Sequence, residues 1–429
     1  MAAGDLRFRR YRDEDFEEYA QVFEAVYGKA PDRDFFMWKN LKNPASGEGA
    51  LIYLALNGEG RIVGANSFFP GVLEYEGTSY RAVQSGDTMV LKEYRGRGIF
   101  GRILAFALAD LRAQGYALIY GYANGNSYPG FLKAGFADLG RIDLFYRVLS
   151  WQGLLAGRGP VWRLLGGVVD RSKNILQWPA RSHDYRVESI APEAAAVVLE
   201  GKEATGRGIQ PRKDAAYLTW KYLDQPHREE REYLTLVVRK GSDDAAGKGS
   251  DGVSGKGSDD TAGKGPDDTA GKGPDDTAGK GPDDAAGKGS EDVVGKGPQD
   301  AVQKSSEEAT QKRLDDATDK SSEDVAVFVV RLDRHDHFSG GEIVESFVSR
   351  AEEAAASLSE LGRYLNRRGI AFVRVWDPGG GAFPSHLRGN GFFRRQVPLY
   401  LIVKVLQADL EFFTERERWQ ISAGDADTA

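Results

Sequence analysis

Apolar residues follow two different periods along the first third of this 429-residue chain. Short apolar runs at positions 6–11, 51–56 and 62–69 predict strands, and Asn57-Gly58 between the last two predicts a hairpin turn. Residues 13–27 instead predict a helix, because acidic residues occupy their first turn and stabilise a helix N-terminus. The chain therefore begins with strands and helices of one mixed fold.

A glycine-rich segment at residues 95–101 joins the end of a predicted strand, residues 88–91, to a long amphipathic helix. Its glycines let the backbone approach a ligand, and the first N–H groups of a helix have no partner inside it. Arg95, Arg97 and Arg102 add positive charge. The segment predicts a pyrophosphate site, with a plain turn and solvated arginines as the alternative. The helix is predicted from apolar residues at helical spacing that continue until Gly115: Phe100, Ile103, Leu104, Ala107, Leu108 and Leu111.

A second block of sequence follows, in which residues 116–122 predict a buried strand and residues 124–136 a turn, a short helix and a Gly-Phe pair. Together the two blocks resemble the GNAT N-acetyltransferases over about residues 5–148. Arg95 and Gly98 match the acyl-CoA-binding loop of that family, whereas Phe100 replaces its usual small residue and Gly101 follows one place late. Asn124, Gly135 and Phe136 match the second block.

The resemblance implies an α/β (α+β) fold, in which a mixed, mostly antiparallel central sheet is flanked by helices and a parallel strand pair splays at the cofactor site. It further implies acetyl-CoA as co-substrate, no metal, and direct attack of a small-molecule or peptide primary amine on the thioester in a ternary complex. The cofactor-binding residues that it implies are Met89, Val90, Leu91, Arg95, Gly96, Arg97, Gly98, Ile99, Phe100, Gly101, Ala123 and Asn124.

Proton transfer needs an acid and a base near the thioester. The family often has a tyrosine four residues before the Gly-Phe pair, but this chain has Phe131 there. We therefore take Tyr128 as the candidate acid, with water, Tyr120 or Tyr122 as alternatives and a packed aromatic as the ordinary interpretation. The candidate base is Asp87, for which a surface carboxylate is the ordinary interpretation. The other carboxylates considered for that role are Glu74, Glu76 and Glu93.

A faded internal repeat predicts a second domain of the same fold. Residues 35–44 align without gaps on residues 217–226, so that Trp38-Lys39 falls on Trp220-Lys221. In both places a predicted strand, a helix and a Gly-Phe pair follow, the second pair being Gly391-Phe392. In the second copy, residues 342–347 pass directly into a helix predicted over 349–368, without a glycine loop and with carboxylates that would repel pyrophosphate. We predict a degenerate, non-catalytic copy; a coincidental match is the alternative.

An octad repeat runs through residues 241–324, which hold 21 acidic and 11 basic residues and almost no large apolar ones. Such a composition cannot bury enough apolar surface to offset the entropy of ordering, so we predict a disordered insertion. The strand-like runs on either side, residues 232–239 and 325–332, would form a hairpin without it. The predicted organisation is a catalytic domain at 1–150, a helical linker at 151–182, the degenerate domain at 183–408 and a C-terminal tail at 409–429.

Composition narrows the remaining possibilities. The chain has no cysteine, so disulfides and thiol nucleophiles are excluded. The sequence does not predict a strongly basic face, so we expect no nucleic-acid partner. No apolar run is long enough to span a membrane, and we expect a cytoplasmic protein. Residues 151–178 predict a packed interdomain helix pair, with a surface amphipathic anchor as the alternative. His335 and His337 lack a third metal ligand and predict a solvated turn.

Two further functions stay open at this stage. One is a non-catalytic acyl-CoA-binding or interaction protein, which Phe131 and the long insertion favour. The other is transfer of a longer acyl or aminoacyl group. Neither the amine acceptor nor the oligomeric state follows from the residues, because acceptor specificity depends on variable loops.

Overall fold

The computed structural model describes residues 6–47, 49–176, 185–191, 198, 208–226, 232–240, 324–376 and 383–426. The predicted octad-repeat insertion lies outside these residues except for Asp324. The predicted domain boundaries stay predictions.

The first half of the chain alternates strands and helices much as the hydrophobic pattern predicts. Its strands are β1 Arg7–Arg10, β2 Leu51–Leu56, β3 Ile62–Tyr75, β4 Thr78–Val90, β5 Leu118–Asn124 and β6 Ala137–Val148. Its helices are α1 Phe16–Tyr27, α2 Arg33–Asn40, α3 Ile99–Ala113 and α4 Tyr128–Lys133. The predicted helix start at Asp13 is a 3-10 turn, Asp13–Asp15, because the Asp15 carboxylate accepts from Arg9 and from the Arg12 N–H.

The linker and the second half repeat this order. The helices are α5 Trp151–Leu154, α6 Pro160–Leu176, α7 Ala215–Tyr222, α8 Ala354–Arg367 and α9 Phe383–Gly389. The strands are β7 Tyr185–Ile190, β8 Gln210–Pro211, β9 Tyr233–Lys240, β10 Asp324–Arg334, β11 Ser339–Val348, β12 Ile370–Trp376 and β13 Phe393–Val405. Three 3-10 turns follow β13, at Glu411–Thr414, Arg416–Arg418 and Ala423–Ala426.

One continuous sheet runs through both halves in the order β1-β2-β3-β4-β5-β13-β6-β12-β11-β10-β9-β7, with β8 added to β3. The pairs β4–β5 and β11–β12 are parallel and the others are antiparallel. The last strand of each half lies beside the parallel pair of the other half, since β13 pairs with β5 and β6 pairs with β12. Helices flank this sheet, which confirms the predicted mixed fold.

Each parallel pair separates partway along its length. β4 and β5 pair only from Ala82–Leu118 to Ser85–Gly121, and β11 and β12 pair only as far as Ile343–Val375. In both halves an irregularity in the register with the preceding strand lies just beyond the last pair. The splay predicted for the first half is therefore confirmed, and the second half contains its counterpart, here called the second notch.

The repeated Trp-Lys segments, one from each half, contact each other. Trp38 and Trp220 stack with ring centroids 4.8 Å apart, and each indole N–H donates to the backbone carbonyl of the other residue, at 2.8 and 3.0 Å. Asp32 caps α2 and Asp214 caps α7 through the same bond, to the N–H three residues on. The two segments are thus equivalent in local structure as well as in sequence.

The predicted hairpin around the insertion is also confirmed. β9 and β10 pair antiparallel up to Arg239 and Asp324, whose side chains form a buried ion pair of 2.7 Å. Within the described ranges, no helix is both long and apolar enough to cross a membrane.

Candidate active site

The glycine-rich segment, residues 95–101, opens α3 in the predicted manner and is called the cofactor loop. Gly96 and Gly98 have φ angles of 77° and 70°, and no atom lies within 4 Å of a Cβ built on either residue. The first helical bond runs from the Arg102 N–H to the Gly98 carbonyl at 3.2 Å, so the three N–H groups of residues 99–101 have no intrahelical acceptor. The loop can therefore present free amides to a diphosphate in open space.

Two arginines of the cofactor loop bond to the backbone just before it, and a third arginine, Arg102, follows the loop. Arg95 Nε donates to the Val90 carbonyl at 3.0 Å, and Arg97 Nη2 donates to the Glu93 carbonyl at 2.9 Å. Arg102 lies over the ring of Phe8, 4.9 Å from its centroid. All three side chains remain exposed, so their charge surrounds the mouth of α3 and favours an anion there.

Phe100, the departure from the family pattern, is accommodated by α4. Its ring packs edge-on against Phe131 with centroids 5.0 Å apart. A Cβ on Gly130 would lie 2.5 Å from the Phe100 ring, so only glycine fits there. Phe131 is buried against Phe136 as well. The bulky residue thus fills a helix contact, and the residue at the usual position of the catalytic tyrosine is part of the core.

The ends of β4 and β5 at the splay carry the other predicted cofactor contacts. Met89 is buried, and the Leu91 N–H bonds to the Val63 carbonyl at 3.0 Å, so this end of β4 is anchored to β3 while its other edge has left β5. Ala123 is buried, whereas Asn124 is exposed and its Oδ1 accepts from the N–H groups of residues 126 and 127. Asn124 therefore shapes the turn into α4.

Asp87 lies in the bulge of β4 with a left-handed φ of 43°. Asp87 and Thr88 stand opposite the single residue Asn66, whose Oδ1 accepts from the Thr88 hydroxyl at 2.6 Å. Both oxygens of Asp87 accept from Lys39 Nζ, at 3.1 and 2.9 Å, and this lysine is nearly buried. The carboxylate is therefore already neutralised by the lysine of the Trp-Lys segment.

Tyr128 is a half-buried residue at the start of α4. Its ring stacks on Tyr400 with centroids 4.0 Å apart, and its hydroxyl donates to Asp138 Oδ2 at 2.6 Å. This bond to the carboxylate, with a smaller contribution from burial, raises the pKa of Tyr128 to about 12. Tyr128 thus holds its proton tightly and shares it with Asp138.

Tyr120 and Tyr122 extend along β5 across the start of the splay. Burial raises the pKa of both hydroxyls above the ordinary tyrosine value, and the Asp425 carboxylate raises them further. The Tyr122 hydroxyl is buried and has no hydrogen-bond partner within the residues that the structure describes. A buried hydroxyl that no protein group engages is uncommon in native proteins, where such a group usually bonds to water or to another polar atom.

A cavity of about 210 Å³ lies beside the splay, between the two halves. Gln84 and Tyr120, which pair across β4 and β5 one position before the splay begins, form part of its wall. The second half contributes Tyr217 and Trp220, and the C-terminal segment contributes Asp425. A space of this size next to the splay can admit a small amine or the end of a peptide side chain.

The second notch is filled by the chain itself. Ser422 Oγ bonds to Glu345 at 2.9 Å, Asp425 pairs with Lys213 at 2.9 Å, and Lys221 donates to the Gly424 carbonyl. A Cβ on Gly424 would collide with the Glu345 carboxylate and lie 2.8 Å from the Val344 carbonyl. The segment predicted as a tail therefore docks in the second notch, the counterpart of the splay between β4 and β5.

The second half also lacks a cofactor loop. After β11 a 3-10 turn, Ala351–Glu353, leads directly into α8, and Glu352 and Glu353 lie at its N-terminus. The helix begins a few residues later than predicted, but the absence of glycines and the two carboxylates make the site unsuited to a diphosphate. Among the described residues, no group of three or more His, Cys, Asp or Glu side chains could hold a metal ion. Asp333 pairs with Arg374, and His335 lies in the hairpin turn.

Residues 7–137 match the family model of the acetyltransferase (GNAT) domain. That stretch of the chain is a GNAT domain. No curated protein matches the chain in sequence. Among solved structures, the chain resembles a GCN5-related N-acetyltransferase from Anabaena variabilis, with 10% identity, a TM-score of 0.55 and coverage of 96% of this chain and 75% of that one.

Two further solved structures are similar to this chain. One is a probable N-acyltransferase from Enterococcus faecalis, with 11% identity, a TM-score of 0.54 and coverage of 94% and 73% of the two chains. The other is a GCN5-related N-acetyltransferase from Kribbella flavida, with 11% identity, a TM-score of 0.51 and coverage of 96% and 74%. At such low identity these likenesses establish the fold, which suits acyl transfer from an acyl-CoA.

Proposed function

We propose that this protein transfers an acetyl group from acetyl-CoA to a primary amine by direct attack in a ternary complex. The observation that supports it most is the juxtaposition of three features: the open glycines of the cofactor loop, the freed edge of β4, and the cavity beside Gln84 and Tyr120. They provide separate places for a diphosphate, a pantetheine arm and an amine. Holding two reactants together in this way lowers the barrier of a bimolecular reaction.

The residues would divide the work as follows. The free amides of residues 99–101 and the exposed arginines bind the diphosphate, and the edge of β4 at Met89, Val90 and Leu91 offers backbone groups to the pantetheine amides. When bound, acetyl-CoA supplies the thioester. Asp87, through the bulge of β4, is the proposed base for the ammonium of the acceptor, with Lys39 setting its position.

Tyr122 and Tyr128 are the two candidates for protonating the departing thiolate, and the contacts favour Tyr122. Its hydroxyl is buried beside the splay with no described partner, whereas Tyr128 already donates to Asp138. A positioned acid contributes typically ~10²–10⁴-fold to a rate. We therefore expect Tyr122→Phe to lower kcat by about that factor at unchanged KM for acetyl-CoA, measured by thiol release.

Tyr128→Phe is the matched control, since it removes one hydroxyl from a neighbouring tyrosine. An enzyme that used Tyr128 as acid would lose most of its activity in Tyr128→Phe and keep it in Tyr122→Phe. That result would assign the acid to Tyr128 and contradict the choice of Tyr122.

A non-catalytic acyl-CoA-binding protein is the second candidate function. It is favoured by the buried Phe131 at the usual place of the acid, and by the ion pair that already engages Asp87. Calorimetry with acetyl-CoA, followed by thiol release against a panel of aminosugars, amino acids, polyamines and peptides, separates the two. Binding without thiol release for every amine would establish the non-catalytic function.

The insertion should be dispensable for either function. The hairpin of β9 and β10 is closed by the Arg239–Asp324 ion pair, so residues 242–322 can be replaced by a short glycine linker without breaking a described contact. We expect unchanged acetyl-CoA affinity and unchanged turnover in the shortened chain. A loss of either, in a variant with an unaltered circular dichroism spectrum, would assign the insertion a direct role.

A further inference from the structure

Helix α6 exposes an apolar face that nothing in the described structure covers. Six side chains of one nine-residue stretch form this α6 face, with exposed fractions from 41% for Val169 to 73% for Leu164. Monomeric soluble proteins seldom expose so much contiguous apolar surface without a binding partner. The α6 face consists of Val161, Trp162, Leu164, Leu165, Val168 and Val169, whereas the other exposed large apolar side chains of the described residues are scattered: Tyr27, Phe106, Leu132 and Phe393.

The opposite side of α6 is fixed to α5, so the α6 face points away from the other elements that the structure describes. A Cβ on Gly166 would lie 2.7 Å from the backbone of Trp151 and Gln152, which shows how closely the two helices approach. Asp170 accepts from the Ser150 hydroxyl at 3.0 Å and from the N–H groups of Trp151 and Gln152 at 2.7 and 3.0 Å. The predicted helix pair is therefore present, but its apolar stripe faces outward.

The exposed charged side chains described next to the α6 face have one sign. Arg158, in the preceding turn, and Arg171 are exposed at the two ends of the α6 face, whereas the one acidic side chain of α6, Asp170, is engaged by α5. Arg163 is also exposed, but its position in the helix places it on the side opposite the α6 face. A helix with a strong apolar stripe, a tryptophan and flanking arginines matches the boundary between lipid headgroups and acyl chains. Anionic headgroups complement the arginines.

We propose that the α6 face docks this protein on the surface of a bilayer that contains anionic phospholipid. The helix lies in the plane of the interface, which agrees with the absence of a spanning helix among the described residues. A second copy of the chain is a poorer occupant, because a twofold contact through the α6 face would bring Arg158 and Arg171 of each copy near those of the other. The proposal concerns where the protein acts and does not depend on the acyl-transfer chemistry.

The test is sedimentation of the full-length protein with vesicles of phosphatidylcholine alone or with added phosphatidylserine. We expect binding to the anionic vesicles, weakening as salt rises. Leu164→Glu should weaken it by roughly a hundredfold, since it places a charge in the middle of the apolar stripe. Replacing Arg158 and Arg171 by Gln should weaken it by about fivefold for each arginine. Leu132→Glu, the same change at an exposed leucine outside α6, should bind like the wild type.

Equal vesicle binding by Leu164→Glu and the wild type would overturn the proposal. Absence of wild-type binding to anionic vesicles would also overturn it. Sedimentation velocity would then identify what covers the α6 face: a dimer that Leu164→Glu converts to a monomer would mean that a second copy covers it. We expect each variant to keep its fold, because the substituted side chains are exposed. Circular dichroism of each variant checks this.

Discussion

Gly98→Glu is expected to weaken the affinity for acetyl-CoA by a factor of at least about 10³, which abolishes measurable binding. Gly98 caps α3 in a left-handed conformation with φ of 70°, and the space above it is open. A glutamate side chain would fill that space and bring a negative charge to the amides that the diphosphate needs, while the left-handed backbone adds strain of about 1 kcal/mol. Isothermal titration calorimetry with acetyl-CoA measures the loss.

Gly77→Glu is the matched control for this variant. Gly77 has φ of 76° and no atom near its Cβ position, but it lies in the turn between β3 and β4, at the far end of β4 from the cofactor loop. It carries the same backbone strain and the same charge without entering the loop, so its affinity for acetyl-CoA should equal that of the wild type. Retained binding by Gly98→Glu would contradict the assignment of the cofactor loop.

The cofactor loop could be predicted from the sequence because its features are local. Two glycines that need positive φ, a preceding strand and a following amphipathic helix all lie within about thirty residues of one another. The Trp-Lys repeat was also visible. Its contact was not, because Trp38 and Trp220 are 182 residues apart and the repeat alone does not say that the two copies stack on each other.

The exchange of last strands could not be predicted. The alternation of side chains in β6 and β13 determines which face of a strand is buried, but not which strand lies beside it. β13 therefore fits next to β5 as well as next to its own β12, and only the complete sheet decides. The same argument applies to α6, whose apolar stripe predicted packing but does not say whether the stripe meets a core or faces outward.

The site contains residues whose roles depend on long-range contacts. Asn66 interrupts an apolar strand, which was the available signal for a buried polar contact, and it holds the bulge that presents Asp87. Phe131 could be recognised as a departure from the family pattern, but its burial against Phe100 needed the structure. The docking of Ser422–Asp425 depends on polar pairs with residues far away in the chain, so the hydrophobic periodicity of the sequence does not predict it.

Glu345→Ala is expected to destabilise the protein by about 3–5 kcal/mol, because it breaks a buried charge cluster and leaves its partners uncompensated. Glu345 is fully buried and accepts from the Tyr222 hydroxyl at 2.8 Å, from Ser422 and from Lys213. Burial alone lowers the pKa of Lys213, but the carboxylates of Asp425 and Glu345 raise it above its ordinary value. This contribution to stability is therefore complete below about pH 10 and is lost only as the pH rises further.

Urea unfolding at neutral pH measures the effect, and Glu415→Ala is the control. Glu415 pairs with Arg418 at 2.6 Å on the surface, with both side chains at least 40% exposed, so its loss should change the free energy of unfolding by less than about 1 kcal/mol. Because Ser422 bonds to Glu345 and Asp425 lines the cavity, Glu345→Ala should also raise KM for the amine while acetyl-CoA affinity stays unchanged. Equal stability of the two variants would contradict the stabilising role of the buried charge cluster. An unchanged KM for the amine would contradict a role of the docked segment in the acceptor cavity.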